Sequence, residues 1–321
     1  WRDQLMLHEW LYRAGMRFRN PSLQGYLDFL MESDRWSRDD LERYQLEKCR
    51  ELLIFARDHS PYYPSLSRSV NFHPEDMTRL SDLQRIPPTS KEHLLERNRD
   101  IQVCVDTGKP VVSQTSGTSG QVLRIIRNEK WDSGHRAAIF RGYQWHGVHP
   151  WERNGYFWGY NIDKRQRRKI QFLDRLQNRF RLFTYDEHAI TVFAKKLRSA
   201  VYLHGYSSMI YEVAKIVNRL GLGGQYNLRL IKGTSEKIYD SYQDEVTRAF
   251  GKRIISEYGA CEAGISAFEC PEGFMHICSE NVIVEEEDGE ILVTNLLSRP
   301  FPIIRYRLGD AIKLASQDFR C

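Results

Sequence analysis

Two periods of hydrophobic patterning run along this chain. Over residues 1–60 the apolar and aromatic positions recur at helical spacing; Leu41, Tyr44, Leu52 and Phe55 can share one helix face, and Pro61 stops the pattern. Pro87-Pro88 breaks the chain, and Thr89-Ser90 is placed to cap a short helix from Lys91. Val103 to Ser113 holds short β-like stretches, and VLRII (122–126) is a further strand candidate. From there the two periods alternate. GYFWGY (155–160), AVYLHGY (200–206), LRLIKG (228–233) and RIISEYG (253–259) read as strands. Between them, Thr184 and Glu187 form a capping box for a helix to about Arg198. Ser207 or Ser208 opens a second helix, which ends near Gly221, and a third runs from Glu236 to Gly251. VIVEEEDGEILVTN (282–295) reads as a hairpin turning at Asp288-Gly289.

This order predicts an α/β protein with a mostly parallel sheet and a β-rich C-terminal part. Ligands in such folds sit beyond the carboxyl ends of the strands. The glycine-bearing segments at 117–120, 233 and 259–264 fall there. No internal repeat or low-complexity tract interrupts the 321 residues.

Composition narrows the classes. Hydrophobic residues at 41% and charged residues at 28% give a globular balance with enough apolar mass for a core. The net charge of +5 mildly favours anionic ligands, and is too small to argue for nucleic acid. No run approaches the roughly 18–20 apolar residues of a membrane span. Six cysteines in so long a chain read as cytosolic thiols, so a cytoplasmic location is expected. The first residue is Trp1 rather than Met, so a preceding segment is expected.

Three segments carry candidate chemistry. In SQTSGTSGQ (113–121), Gly117 and Gly120 allow close backbone approach, and Thr115, Ser116, Thr118 and Ser119 add hydroxyls. Successive N–H groups there can cradle phosphate oxygens; a flexible surface turn has the same composition. It is not a Walker loop, because the closing Lys-Ser/Thr pair is absent. In ISEYGACEAG (255–264), Tyr258 could stack on a purine and Glu262 hold Mg²⁺; taken alone, a strand-end turn with a core Tyr and a solvated Glu is the plainer reading. In IIRYRLGD (303–310), Asp310 could accept ribose hydroxyls, or be one more turn aspartate.

Taken in order, these segments resemble the adenylate-forming superfamily, in its phenylacetate–CoA ligase-like branch and especially members associated with capsular polysaccharide biosynthesis. DHSPYY (58–63), RIPPTSKEHL (85–94), TSGTSGQ (115–121), KGTSEKI (232–238), EYGACEAG (257–264), FECPEGFMH (268–276) and RYRLGD (305–310) are similar to seven of that branch's motifs, in sequence order. The resemblance implies the large N-terminal domain of that fold over 1–321: a mainly helical entry region (1–100), an α/β nucleotide-binding core (101–280) and a β-rich segment (281–321) leading to a hinge. The family's small C-terminal domain, with its catalytic lysine, is then absent from these residues.

The implied function is ATP-dependent activation of a small carboxylic acid as acyl-AMP, with release of pyrophosphate and transfer to CoA or an amine acceptor. ATP, AMP and Mg²⁺ are the implied ligands, and CoA an optional one. Thr115, Ser116, Gly117, Thr118, Ser119 and Gly120 would hold the phosphates. Gly233, Ser235, Glu236, Tyr258 and Gly259 would line the adenine and acyl pocket, with His204, Tyr206 and Ala260 on the substrate side. Glu262 would bind Mg²⁺ and Asp310 the ribose; Glu262 and Thr118 are the catalytic candidates.

Three departures stand out: Gln121 where the family often has Lys, Cys261 where it usually has Ser or Thr, and Leu308 where it has Thr. They motivate an alternative, a catalytically degenerate nucleotide-binding or interaction module of the same fold. Cys270, His276 and Cys321, with Cys278 nearby, resemble the ligands of a structural Zn²⁺ in some members; unrelated thiols and a surface His are the plainer reading. The basic run 164–181 contains Lys164, Arg165, Arg167, Arg168, Lys169, Arg175, Arg179 and Arg181 against Asp174 alone. It reads as a solvated face, or as a site for an anionic partner such as CoA phosphates, a glycan carrier or a membrane surface. Trp145, Tyr156, Phe157, Trp158 and Tyr160 read as core aromatics or as an acyl-pocket lining. The sequence leaves the oligomeric state open.

Overall fold

Ser37 begins the longest helix of the chain. Its hydroxyl accepts the Asp40 N–H while the Asp40 carboxylate accepts the Ser37 N–H, both at 3.2 Å, so two donors at the helix start are satisfied reciprocally. In the computed structural model, which describes residues 2–115, 122–157 and 164–315, this helix is the third of a helical first part. The elements there are α1 (Arg2–Arg19), α2 (Leu23–Ser33), α3 (Arg38–His59), α4 (Tyr63–Ser69), two short 3₁₀ turns (Pro74–Asp76, Leu80–Arg85), α5 (Lys91–Glu96) and α6 (Asn98–Ile101). Ser90 caps α5 by accepting the His93 N–H, as its sequence predicts.

Next come β1 (Val111–Gln114), β2 (Arg124–Arg127), α7 (Glu129–Trp145), β3 (Asn154–Phe157), α8 (Lys164–Leu176), β4 (Arg179–Arg181), α9 (Glu187–Leu197), β5 (Tyr202–Tyr206), α10 (Ser207–Arg219), β6 (Leu230–Thr234) and α11 (Asp240–Phe250). The chain ends with β7 (Ile255–Ala260), β8 (Gly264–Glu269), β9 (Met275–Ile277), β10 (Val282–Glu287), β11 (Glu290–Asn295) and β12 (Tyr306–Ala311). Two helix starts differ from the sequence expectation. Asp186, not Thr184, caps α9, because the carboxylate immediately before the first helical residue accepts the Ala189 N–H at 2.9 Å. The next helix begins at Asp240, not Glu236: Ser235 turns the chain with φ +64° and Glu236 lies in a loop.

The chain divides into two compact units. One comprises Trp1–Phe18, Ile139–Tyr258 and Ala267–His276; the other comprises Arg19–Ala138, Gly259–Ser266 and Ile277–Cys321. The first is built on parallel strands in the order β4-β3-β5-β6-β7, with β8 and β9 next in the sheet. Successive residues of a strand face opposite sides. On one side Phe157, Leu203 and Ile231 pack against Ile190, Phe193 and Leu197 of α9 and Ile210, Val213 and Val217 of α10, all in one core. Each such side chain contributes roughly 1.5–3 kcal/mol by leaving water. The register puts Arg179 and Arg181, Asn154 and Tyr156, Tyr202 and His204, Lys232 and Glu257 on the other side. Leu230 and Ile255 share that side and pack with Tyr143, Val148 and Phe268, so it mixes polar groups with an apolar cluster.

The second unit buries Cys49, Leu52 and Ala56 of α3 with Leu83, Leu94, Leu123, Ile125, Trp131, Phe301 and Ile303. Its antiparallel sheet runs β10-β11-β12. Asp288 (φ +55°) and Gly289 (φ +79°) make the turn predicted for the hairpin, since two successive left-handed residues match the twist of the flanking strands.

Candidate functional site

In the second unit, four of the sequence segments meet. Thr89, from RIPPTSKEHL, runs parallel to β12: its N–H donates to the Arg305 carbonyl at 2.8 Å, and the Arg307 N–H donates to the Thr89 carbonyl at 2.9 Å. Between those bonds stands Tyr306, whose hydroxyl donates to Oε1 of Glu262 at 3.2 Å. The Cys261 thiol hydrogen-bonds the side chain of Ser113 at the base of the Ser/Thr/Gly loop. Thr115 closes that base, exchanging bonds with Leu123 through its N–H (3.0 Å) and its Oγ1 (3.1 Å). Ser116, Gly117, Thr118, Ser119, Gly120 and Gln121 lie outside the described residues.

The segment bearing Glu262 is held from below. Asn295, buried in β11, donates through Nδ2 to the carbonyls of Glu262 (3.2 Å) and Ala263 (3.0 Å). His135 accepts the Ile265 N–H on Nδ1 at 2.8 Å. A Cβ at Gly259 would lie 2.4 Å from the Gly264 carbonyl oxygen, so only glycine fits there. Arg305 is left-handed (φ +46°), a strained choice for a side-chain-bearing residue. It is pinned by Glu285 (3.0 Å), Glu287 (2.9 Å) and the Ile86 carbonyl (2.6 Å). Burial pushes the Glu262 carboxyl above its ordinary 4.5, outweighing its own backbone N–H, Tyr306 and Lys91, which pull it down. Burial also raises the Cys261 thiol, with the Glu262 charge adding to it. Asp310 is exposed on β12, four residues beyond Tyr306.

In the first unit, the loop after β6 turns back over the start of α10. Tyr206 precedes that helix and provides no side-chain cap; Glu236 does so instead, its Oε2 accepting the Ser208 N–H at 2.8 Å. A Cβ at Gly233 would meet Ser207 Oγ at 2.4 Å, so glycine lets β6 and α10 approach. Tyr206, Glu236, Tyr185, Ile190, Met209 and Ile216 line an open groove of about 380 Å³. Tyr258, half-buried, ends the first unit's part of β7.

His204 does not line that groove. It is buried, with Nδ1 3.4 Å from the Tyr143 hydroxyl and Nε2 3.3 Å from Asn154 Oδ1. Asn154 Oδ1 also accepts from Arg179 Nε at 3.2 Å, so it is an acceptor and His204 carries its proton on Nε2. Burial holds the imidazole well below 6.5, and Arg179, Lys232 and Arg181 reinforce this. Beside it Lys232 Nζ meets Glu257 Oε2 at 2.5 Å with both side chains buried, and Thr234 donates to the other Glu257 oxygen at 3.1 Å.

The sequence reading missed Tyr306, Thr89, Ser113 and the Lys232–Glu257 pair. Tyr306 and Thr89 lie within RYRLGD and RIPPTSKEHL, beside residues whose chemistry is more evident from type alone. The ion pair joins strands 25 residues apart and leaves no local signal.

Cys270 and Cys278 are buried and His276 is half-buried; Cys321 lies outside the described residues. Among the described residues no group of three or more His, Cys, Asp or Glu is placed to hold a metal ion. None of the described helices is long and apolar enough to cross a membrane.

No protein-family model matches the chain. It is similar to Protein CapK of Staphylococcus aureus, 20% identical over 291 residues, covering 87% of this chain and 64% of that protein. It is also similar to phenylacetate-coenzyme A ligase of Escherichia coli (strain K12), 22% identical over 307 residues, covering 87% of this chain and 68% of the ligase. Its fold matches that of a 2-hydroxyisobutyryl-CoA ligase solved with 2-HIB-AMP and CoA, with a TM-score of 0.69 at 16% identity over 86% of this chain and 64% of the other. The chain thus spans somewhat under two thirds of CapK and of that solved ligase.

Proposed function

We propose that this chain is a member of the phenylacetate–CoA ligase-like branch of the adenylate-forming superfamily, to whose members it is similar, and that it is the nucleotide-binding part of a ligase that activates a carboxylic acid. The carboxylate oxygen attacks the α-phosphorus of ATP, the bond to the β-phosphate bridge breaks, and pyrophosphate leaves. The acyl group of the acyl-AMP then passes to the thiol of CoA or to an amine, releasing AMP. A role in building a capsular polysaccharide belongs to the same proposal.

The observation that carries this reading is the convergence of Thr89, Ser113, Cys261, Glu262 and Tyr306 in one unit. A buried carboxylate held by one hydroxyl keeps acceptor capacity for a cation. A single protein carboxylate suits Mg²⁺ that arrives with substrate phosphates, since such a metal completes its shell with phosphate oxygens and water. In this reading Glu262 would hold Mg²⁺, which when bound neutralises charge on the phosphates. The 115–120 loop would cradle the β- and γ-phosphates through its N–H groups. Tyr258, Gly259, Gly233, Ser235 and Glu236 would flank the adenine and acyl groups, Tyr206 and Ala260 the substrate, and Asp310 the ribose. His204, buried and neutral, belongs to the same proposal on the substrate side. Cys270, His276 and Cys321 remain the proposed zinc ligands, tested by metal analysis of the purified full-length protein. The proposed setting is the cytoplasm.

Calorimetry with Mg·ATP and ATP–pyrophosphate exchange driven by a panel of aryl, acyl and amino acids test the reading. Binding by this chain together with acid-dependent exchange by the full-length protein is the expected result; failure to bind Mg·ATP overturns it. The second reading, a degenerate module, is favoured by Cys261, whose thiol hydrogen-bonds Ser113 at a position where the family resemblance implies a Ser or Thr. It predicts binding without exchange.

A further inference from the structure

Helix α8 is built inside out. Among its described side chains only Asp174 is buried, tied to Arg181 of β4 by two bonds of 2.9 Å. Its larger apolar side chains point to solvent instead: Phe172 is 60% exposed, Leu173 42% and Leu176 37%. At about 100° per residue, Phe172, Leu176 and Leu173 fall within one arc of roughly 100°, with Lys169 inside it and Arg168 and Arg175 along one edge. Ile170, Asp174 and Gln177 fall on the opposite side, toward the protein. Arg168, Lys169 and Arg175 are all exposed. The run from 164 to 181 has eight basic residues and one acid, and that acid is the buried Asp174. Arg179 and Arg181 belong to β4 and face inward, so the described positive charge beside the apolar arc is that of Arg168, Lys169 and Arg175, with the helix's one described acid, Asp174, buried away from it.

We propose that α8 docks this protein on an anionic lipid surface. The helix lies flat, with Phe172, Leu173 and Leu176 at the boundary between headgroups and acyl chains, and Arg168, Lys169 and Arg175 on the lipid phosphates. An amphipathic helix with aromatic and leucine side chains flanked by Lys and Arg binds interfaces by adding apolar burial to electrostatic attraction. Each basic residue near such a surface contributes about fivefold in partitioning. The apolar side chains decide between occupants. A nucleic acid or a free phosphate would use the charges alone. Three side chains on one short helix fall far short of the roughly 800 Å² per partner of a stable protein interface. A lipid surface needs no shaped partner, and its negative charge complements this face. The proposal is independent of the enzymatic reading, and its test does not use activity.

The test is sedimentation of the 321-residue chain with vesicles of phosphatidylcholine alone and of phosphatidylcholine mixed with phosphatidylglycerol. The chain is expected to sediment with the mixed vesicles and not with the neutral ones. Phe172→Glu/Leu173→Glu and Arg168→Glu/Lys169→Glu should each weaken that binding by roughly tenfold or more. Lys195→Glu/Lys196→Glu, exposed on α9 and equal in charge change to the second variant, should leave it within about twofold of the parent. All of these sites are on the surface, so folding is not at stake. The proposal is overturned if the chain ignores the mixed vesicles. It is equally overturned if Phe172→Glu/Leu173→Glu binds like the parent, as a soluble polyanion site would, or if the α9 variant loses as much as the α8 charge variant.

Discussion

The hydroxyl of Tyr306 donates to Oε1 of Glu262 across 3.2 Å, joining residues 44 positions apart and satisfying a carboxyl that burial has already pushed upward. The two side chains have separable roles under the proposed function. Glu262→Gln removes the charge that would face a cation but keeps size and polarity. Mg·ATP binding should weaken by about tenfold or more, while the melting temperature holds or rises, because a desolvated carboxyl is replaced by a neutral group. Tyr306→Phe removes one hydrogen bond worth about 0.5–1.5 kcal/mol, so Mg·ATP binding should weaken by a few-fold only. Calorimetric titrations and thermal melts of the variants measure both. Equal binding by Glu262→Gln and the parent would remove Glu262 from the proposed site.

Lys232 and Glu257 form a buried ion pair whose cost appears when one partner is lost. Lys232→Met leaves a carboxylate in the interior with only Thr234 to satisfy it, and should destabilise the protein by about 3–5 kcal/mol. Lys232→Met/Glu257→Leu removes both charges and should recover most of that loss, since well-packed apolar replacements of buried pairs are often neutral. Urea denaturation of the two single variants and the double variant gives the coupling. Additive losses would mean that the two charges act independently.

What could be read in advance followed from how local its cause was. The 282–295 hairpin was legible because Asp288-Gly289 carries its own turn chemistry, and the start of α5 because Ser90 is its own cap. Strands β3, β5, β6 and β7 were legible as β-rich runs between helices. Strand β8 was not: GISAFE is buried at every position, so it shows no alternation, and its ends fall within EYGACEAG and FECPEGFMH. The start of α11 was misplaced because Glu236 resembles a first-turn acid, yet its carboxylate serves the start of a different helix. For the candidate site, the motifs named the segments, but the contact between Glu262 and Tyr306 and the face shared by His204 and Lys232 depend on strand register across separate segments. No local pattern encodes that register.

Glu236 gives a direct test of that long-range cap. Tyr206 provides no side-chain oxygen to the first turn of α10, so the Ser208 N–H depends on Glu236, whose negative charge also faces the positive end of the helix. Glu236→Ala should cost about 0.5–2 kcal/mol in urea denaturation. Glu236→Gln keeps an acceptor and loses only the charge, so it should cost less. A Glu236→Ala variant as stable as the parent would show that the cap is idle.

His204 makes stability depend on pH in a set direction. Its folded form is neutral and held well below 6.5, first by burial and then by Arg179, Lys232 and Arg181. Above 6.5 neither the folded nor the unfolded chain protonates this imidazole, so its contribution is fully present there. Below 6.5 the unfolded chain takes up a proton that the folded chain refuses, and stability falls by up to about 1.4 kcal/mol per pH unit until the low folded value is reached. His146, also lowered by burial, adds to the slope in the same sense, so the parent alone does not isolate His204. His204→Gln retains a donor for Asn154 but cannot titrate. Its urea midpoint should therefore fall less between neutral and mildly acid pH than the parent's does, and the two curves should converge as pH drops. Parallel curves would mean that His204 is protonated in the folded protein, and that Asn154 and Tyr143 do not hold it neutral.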